Sequence, residues 1–280
     1  MIAEAAATAL GARVTRAEPI AGGDLNAAWR LELDGGKRAF VKAREGAAPG
    51  EYEAEAAGLR WLGEPGALRV PAVLAATEEV LVLEWLDPGP IDAEALGRGL
   101  AAVHAAGAPA FGAPPPGAPD GTFRLGPLAL PPSTADDWPG LYGEHRLVPL
   151  LRLAADGGAV SGAGVAAVEA VLARLPELCG PPEPPARIHG DLWSGNVLGP
   201  ATLIDPAAHG GHREVDLAML QLFGAPSARF FAAYEEVAPL AGGHEARVPL
   251  FQLLPLLVHA VLFGGGYGAS VERAARAALR

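Results

Sequence analysis

Along the first 86 residues, apolar positions come in short runs separated by turn formers. Ala27–Leu33 and Arg38–Lys42 flank an Asp34-Gly35-Gly36 turn and predict a β-hairpin. An Ala-rich segment that reads as a helix precedes it, and a Gly-Gly loop leads into its first strand. After Pro49-Gly50, Glu51 to Leu62 is built of helix formers with an acidic first turn, which suits the positive end of a helix dipole. Val70–Ala75 and Val80–Glu84 predict two more strands, and Trp85–Pro90 reads as a linker. From residue 91 on the pattern is mostly helical, with two Pro-rich breaks. Eight prolines between Pro109 and Pro132 predict a long surface loop with no regular element. Pro181–Pro185 is a shorter break. Beyond it, Arg187–Leu198, a Gly199-Pro200 turn and Thr202–Pro206 are strand-like runs interrupted by polar residues that packing alone does not call for.

At 280 residues the chain suggests about two domains or one two-lobed unit. Half the residues are apolar and net charge is −11 with no basic cluster. Disordered, collagenous and disulfide-stapled classes are excluded, and no Lys/Arg footprint for nucleic acid or anionic lipid exists. A small-molecule partner is expected. Cys179 is the only cysteine, which fits a reducing cytoplasm, and no secretory signal opens the chain. The apolar stretch Val248–Phe263 is interrupted by Pro249, Gln252, Pro255 and His259 and falls short of the ~20 residues a membrane span needs. A monomer without membrane attachment is the default.

Asp191 and Asn196 stand five positions apart in His-Gly-Asp-Leu-x-x-x-Asn, the spacing of a kinase catalytic loop. In phosphoryl transfer the Asp accepts the hydroxyl proton and aligns the nucleophile, while the Asn offers a neutral oxygen to Mg2+. Asp205, nine residues on at the end of an apolar strand, completes a set of hard oxygen ligands with Asn196. Gly22 and Gly23, followed by Asn26, could bring backbone N–H groups to ATP phosphates, although the pattern is not Gly-x-Gly-x-x-Gly. Lys37 and Lys42 are the only lysines among 21 Lys and Arg residues, and Lys42 ends a strand where a kinase places its phosphate ligand. Glu55, one turn into the next helix, is expected to pair with it, Glu51 and Glu53 being capping or solvated charges. Glu84 and Leu86 end the last strand, where backbone amide and carbonyl could read adenine. Trp193 and His259 are candidates for the substrate side. His189 and Asp216 are expected to support the loop. His189 precedes Gly190 where protein kinases carry Arg, so control through an activation-loop phosphate is not expected. Trp138, Glu144 and Arg146 form a polar and aromatic group on a predicted helix.

Taken together, Gly22-Gly23-x-x-Asn26, Tyr52-x-x-Glu55-x-x-Gly58-Leu59, Leu83-Glu84-Trp85-Leu86, His189–Asn196, Asp205-Pro206-Ala207, Arg213-Glu214-x-Asp216-Leu217-Ala218-Met219 and Phe263-Gly264-Gly265-Gly266-Tyr267 resemble the fructosamine 3-kinase, or ketosamine 3-kinase, family over about residues 20 to 268. Trp193 discriminates, because the related aminoglycoside and choline phosphotransferases lack Leu-Trp-Ser-Gly-Asn followed by Asp-Pro-Ala. The resemblance implies an α+β, two-lobed protein-kinase-like fold. A nucleotide lobe would span residues 1–86 and a catalytic and substrate lobe residues 87–280. It implies ATP and Mg2+, and phosphorylation of the 3-hydroxyl of a ketosamine, free or on protein, after which the phosphate eliminates and frees the amine. Ala208-His209 replaces an aromatic pair many relatives carry, the Pro-rich loop departs from their polar stretch, and Asp24 stands where some have a cysteine. An aminoglycoside- or choline-type phosphotransferase, or a pseudokinase that only binds, are the alternatives.

Overall fold

The computed structural model describes residues 2–20, 26–119, 123–224 and 226–280. Its N-terminal region holds helix α1 (Ile2–Leu10), strands β1 (Val14–Ile20), β2 (Ala27–Leu33) and β3 (Arg38–Ala43), helix α2 (Glu51–Gly63), and strands β4 (Val73–Ala76) and β5 (Leu81–Glu84). The strands form one antiparallel sheet in the order β1-β2-β3-β5-β4. Strand alternation decides which helix each residue meets. On β3, Ala39, Val41 and Ala43 join Leu31, Val82 and Ala6 of α1 in one cluster. Phe40 faces the other way, onto Tyr52, Ala56 and Leu59 of α2. Lys42 shares the parity of Phe40 and therefore points at α2. The expected hairpin and helix are present, whereas β1 has little apolar content and carries Pro19, tolerable on a sheet edge.

The C-terminal region contains α3 (Ala93–Ala105), β6 (Phe123–Leu125), β7 (Leu128–Leu130), α4 (Trp138–Tyr142), α5 (Val148–Asp156), α6 (Gly162–Ala173), α7 (Leu175–Leu178), β8 (Ala186–Ile188), β9 (Val197–Leu198), β10 (Thr202–Leu203), β11 (His209–Gly211), α8 (Glu214–Leu222), α9 (Ala228–Val237), α10 (His244–Phe251), α11 (Leu253–Phe263) and α12 (Tyr267–Ala278). Asp92 caps α3 by accepting from the amides of Glu94 and Ala95, at 3.1 and 3.0 Å. A Cβ on Gly97 would collide with the carbonyl of Phe230, so glycine there lets α3 and α9 approach closely.

Three expectations are corrected here. The Pro-rich segment is not devoid of regular structure: β6 and β7 form a short hairpin, Phe111 bridges to Ala135, and the prolines fall outside the paired residues. Helices α10 and α11 together span His244–Phe263, 20 residues holding an 18-residue stretch of mean hydropathy 1.7, long and apolar enough to cross a membrane, and 56% of that stretch is buried inside the protein. Trp138 and Arg146 are buried while Glu144 is exposed, so the three form no common group. Arg146 lies over the ring of Phe123, 4.1 Å from its centroid, and burial lowers its pKa to about 10.

The two regions are joined by more than the linker. Trp61 and Leu62 of α2, with Leu68, lie in one core cluster with Leu96, Leu100, Leu192, Leu203 and Leu217. Arg187 donates to the carbonyl of Trp61 at 2.6 Å and to Glu64 at 2.7 Å. The Leu203 amide donates to the carbonyl of Arg69 at 2.9 Å.

Candidate functional site

The loop between β8 and β9 is held from beneath by Asp216 of α8. Its carboxylate accepts from the amides of His189 at 2.7 Å and Gly190 at 2.9 Å and meets His104 Nε2 at 3.1 Å, while His104 Nδ1 lies 2.7 Å from the Tyr234 hydroxyl. Burial would raise the pKa of Asp216, but the bonds and charge from His104 and His189 outweigh it and hold the carboxyl below its usual value. His189 Nε2 lies 2.9 Å from the carbonyl of Ile204, and Nδ1 faces the Asp191 amide at 3.3 Å. Nε2 donates to the Ile204 carbonyl in this arrangement. Gly190 has φ +80°, and a Cβ there would collide with the carbonyl of Ala207.

Above this base, Asn196 Nδ2 donates to the carbonyl of Asp191 at 2.8 Å and to its carboxylate at 3.2 Å. With its amide nitrogen turned inward, the side-chain oxygen of Asn196 remains available. Asp205 lies two residues beyond β10 and is the one non-glycine among the described residues with positive φ, +54°. Its Oδ1 sits 3.2 Å from Lys42 Nζ. A neutral amide oxygen and a half-exposed carboxylate form the hard-oxygen donor set that Mg2+ accepts alongside phosphates and water, so these residues fit the ion. Asp191 is itself raised, chiefly by burial and further by Asp205, against lowering by His189, His259 and the Asn196 bond.

Lys42, 5% exposed, also pairs with Glu55 at 2.5 Å. Burial alone would lower the Lys42 pKa, yet Glu55 and Asp205 raise it and keep the ammonium charged. Burial pushes the Glu55 carboxyl up, and its Oε1 is shielded without a partner among the described residues. Glu51 pairs with Arg44 at 2.5 Å and accepts from the Ala48 amide, while one oxygen of Glu53 is shielded and unpaired among the described residues rather than solvated. Asn26 accepts from the Tyr52 hydroxyl at 3.3 Å. Gly22 and Gly23 lie outside the described residues.

The expectation for Glu84 is corrected in part. Its amide donates to the carbonyl of Ala72 at 2.8 Å and its carboxylate pairs with Arg69 at 2.7 Å, so the amide is committed to the sheet. The Leu86 amide meets no protein acceptor among the described residues. Trp193 projects from the loop and packs on Phe223, and His259 packs on Phe223 while its Nδ1 meets the carbonyl of Pro255 at 2.7 Å. His104, Tyr234 and Phe223 had not stood out from sequence: each lies in a helical pattern, or at its end, with nothing to separate it from ordinary packing. Ala208 and His209, the departure beside Asp-Pro-Ala, are buried beneath the loop, where burial lowers His209 to about 4.

A model of the fructosamine kinase family matches residues 1–280. A probable ketoamine kinase of Thermus thermophilus is 40% identical over 260 residues, covering 91% of each chain. The crystal structure of a candidate fructosamine-3-kinase from Thermobifida fusca superposes with a TM-score of 0.92 at 47% identity, over 100% of this chain and 98% of that one. A macrolide 2'-phosphotransferase from Brachybacterium faecium shares the fold at TM-score 0.58 and 19% identity, over 98% of this chain and 95% of that one.

Proposed function

This chain belongs to the fructosamine kinase family and is an ATP-dependent ketoamine kinase acting on a hydroxyl group, and from that premise we propose that it phosphorylates the 3-hydroxyl of a ketosamine such as a fructosamine or ribulosamine. The 3-phosphate then eliminates and the amine is freed, which makes the enzyme a deglycation catalyst. One observation supports the assignment of roles: Lys42 meets Glu55 at 2.5 Å and Asp205 at 3.2 Å, Asn196 meets the Asp191 carboxylate at 3.2 Å, and the Ile204 amide beside Asp205 donates to the Asn196 carbonyl at 3.1 Å. In this reading residues 1–86 hold nucleotide and residues 87–280 carry catalysis and substrate. Asp191 aligns the sugar hydroxyl and accepts its proton, a task helped by a carboxyl already raised toward neutrality. Lys42, fixed by Glu55, faces the phosphates. The Leu86 amide and the Glu84 carbonyl read the adenine edge, with Gly22, Gly23 and Asn26 near the phosphates. Asn196 and Asp205 would hold Mg2+, which when bound neutralises phosphate charge. Catalysis then rests on positioning and charge neutralisation. Trp193 and His259 flank the sugar, and the enzyme works as a cytoplasmic monomer.

The test is ATP consumption measured across a ribulosamine, a fructosamine, choline and a kanamycin-type aminoglycoside, with phosphorus NMR locating the modified carbon. Turnover of a ketosamine at C3 is expected, with only traces on the others. Robust aminoglycoside phosphorylation without ketosamine turnover would sink the proposal.

A further inference from the structure

Trp193 and Phe263, at 39% and 48% exposure, are the two aromatic members of the few large apolar side chains that stand exposed. Both belong to one continuous array. Trp193 meets Phe223 edge-on at 6.1 Å between centroids, Phe223 meets His259 at 4.9 Å, and His259 meets Phe263 at 5.5 Å and Tyr267 at 5.0 Å. Four separate segments supply the five rings: the catalytic loop, the end of α8, α11 and the start of α12. The chain reverses between α11 and α12 through Gly264 and Gly265, with φ of +61° and +59°, which returns Tyr267 to His259. Packing does not require this arrangement, because two of its rings stay substantially in solvent, and a cluster of exposed aromatic surface beside a polar centre marks a binding face. It starts at the reacting group, since Trp193 follows Asp191 by two residues. No Lys, Arg, Asp or Glu contributes to it.

We propose that the outer end of this array, Phe263 with Tyr267, binds the amine portion of the ketosamine, the aglycone, and so sets which glycated amines are accepted; this rests on the ketosamine reading above. Only C2 and C1 separate the reacting 3-hydroxyl from the nitrogen, so the aglycone leaves the sugar next to Asp191 and runs out over the nearest surface. Ring faces favour apolar and aromatic groups and the cationic nitrogen of the substrate. An aglycone bearing a carboxylate finds no lysine or arginine among the rings to meet it.

The experiment uses two fructosamines with the same sugar, one made from methylamine and one from benzylamine. The wild-type enzyme is expected to show the higher kcat/KM on the benzyl compound. Phe263→Ala is expected to lose about fivefold to tenfold on the benzyl compound and less than twofold on the methyl compound, with KM for ATP unchanged, and Phe263→Tyr to restore the preference. Turnover of the methyl compound together with an unchanged melting temperature shows that the variant is folded. Equal losses on both substrates, or no loss on either, overturn the aglycone assignment and leave the ketosamine reading standing. Failure of the wild-type enzyme to phosphorylate either compound overturns both.

Discussion

Asp191 destabilises the fold it serves. Its carboxyl is buried beside Asp205 and its pKa is raised from 3.8, so the native state holds that proton more tightly than the unfolded chain does. Stability linked to this group is therefore present below about pH 3.8 and is lost as pH rises through the folded pKa. Asp191→Asn removes the charge and keeps the shape. It is expected to lower turnover by at least ~10² with ATP affinity retained, while the melting temperature at pH 7 rises above wild type and the gap closes on acidification. A melting temperature unchanged at pH 7 would show that the charge is not penalised. Asp205→Ala is expected to raise the Mg2+ concentration needed for half-maximal activity more than Asn196→Ala does, because it removes the charged ligand; superimposed titrations of Asp205→Ala and wild type would exclude the assignment. At this scale much was readable in advance. Lys42 and Glu55 could be paired because Lys42 ends a strand and the helix that follows carries Glu55 one turn in. The committed amide of Glu84 was not readable, since it depends on a register shift between Val73 and Ala75 that no local pattern encodes.

The elements show the same division. α2 and the β2–β3 hairpin follow from propensity and turn chemistry, but β1 is fixed by pairing with β2 rather than by an apolar pattern of its own. The β6–β7 hairpin was hidden by the prolines around it, and it has a task that connects two of the sequence departures, the Pro-rich loop and His209. Phe123 stands edge-on to His209 at 4.5 Å, and the Arg146 guanidinium lies over its ring. The Gly112 amide donates to the carbonyl of Gly210, and the Gly210 amide to that of Ala113. The Pro-rich segment thus packs beside the buried His209. Phe123→Ala is expected to cost about 1–2 kcal/mol by chemical denaturation, because Arg146 would lose the ring that faces its buried charge. No change in the midpoint would show that Arg146 is satisfied elsewhere. Replacing His209 with Phe should reduce the loss of stability between pH 6.5 and 4. The folded pKa of His209 is depressed to about 4, so its contribution is present above 6.5 and lost as pH falls through 4. An unchanged pH slope in that variant would remove His209 from the acid transition.

For the whole molecule, the cluster that spans α2, α3 and α8 means that neither region buries its core alone. Calorimetry is expected to show one cooperative unfolding transition, and Leu62→Ala, at a fully buried site in that cluster, to lower stability by about 2–5 kcal/mol without splitting it. Two resolved transitions would show that the regions fold independently. The two-region plan was legible in the shift from short apolar runs to helical periodicity, but the seam was not, because its hydrogen bonds from Arg187 to Trp61 and Glu64 and from Leu203 to Arg69 join residues more than a hundred positions apart. That seam bears on how such an enzyme is governed. Swinging α2 away from Lys42 would bring Trp61 and Leu62 into water and strip Arg187 of two acceptors, at about 1.5–3 kcal/mol for each apolar side chain alone. The Lys42–Glu55 pair is consequently standing equipment, formed whether or not any signal arrives. Throughput in such a protein then follows mass action, rising with the supply of ketoamine and of ATP.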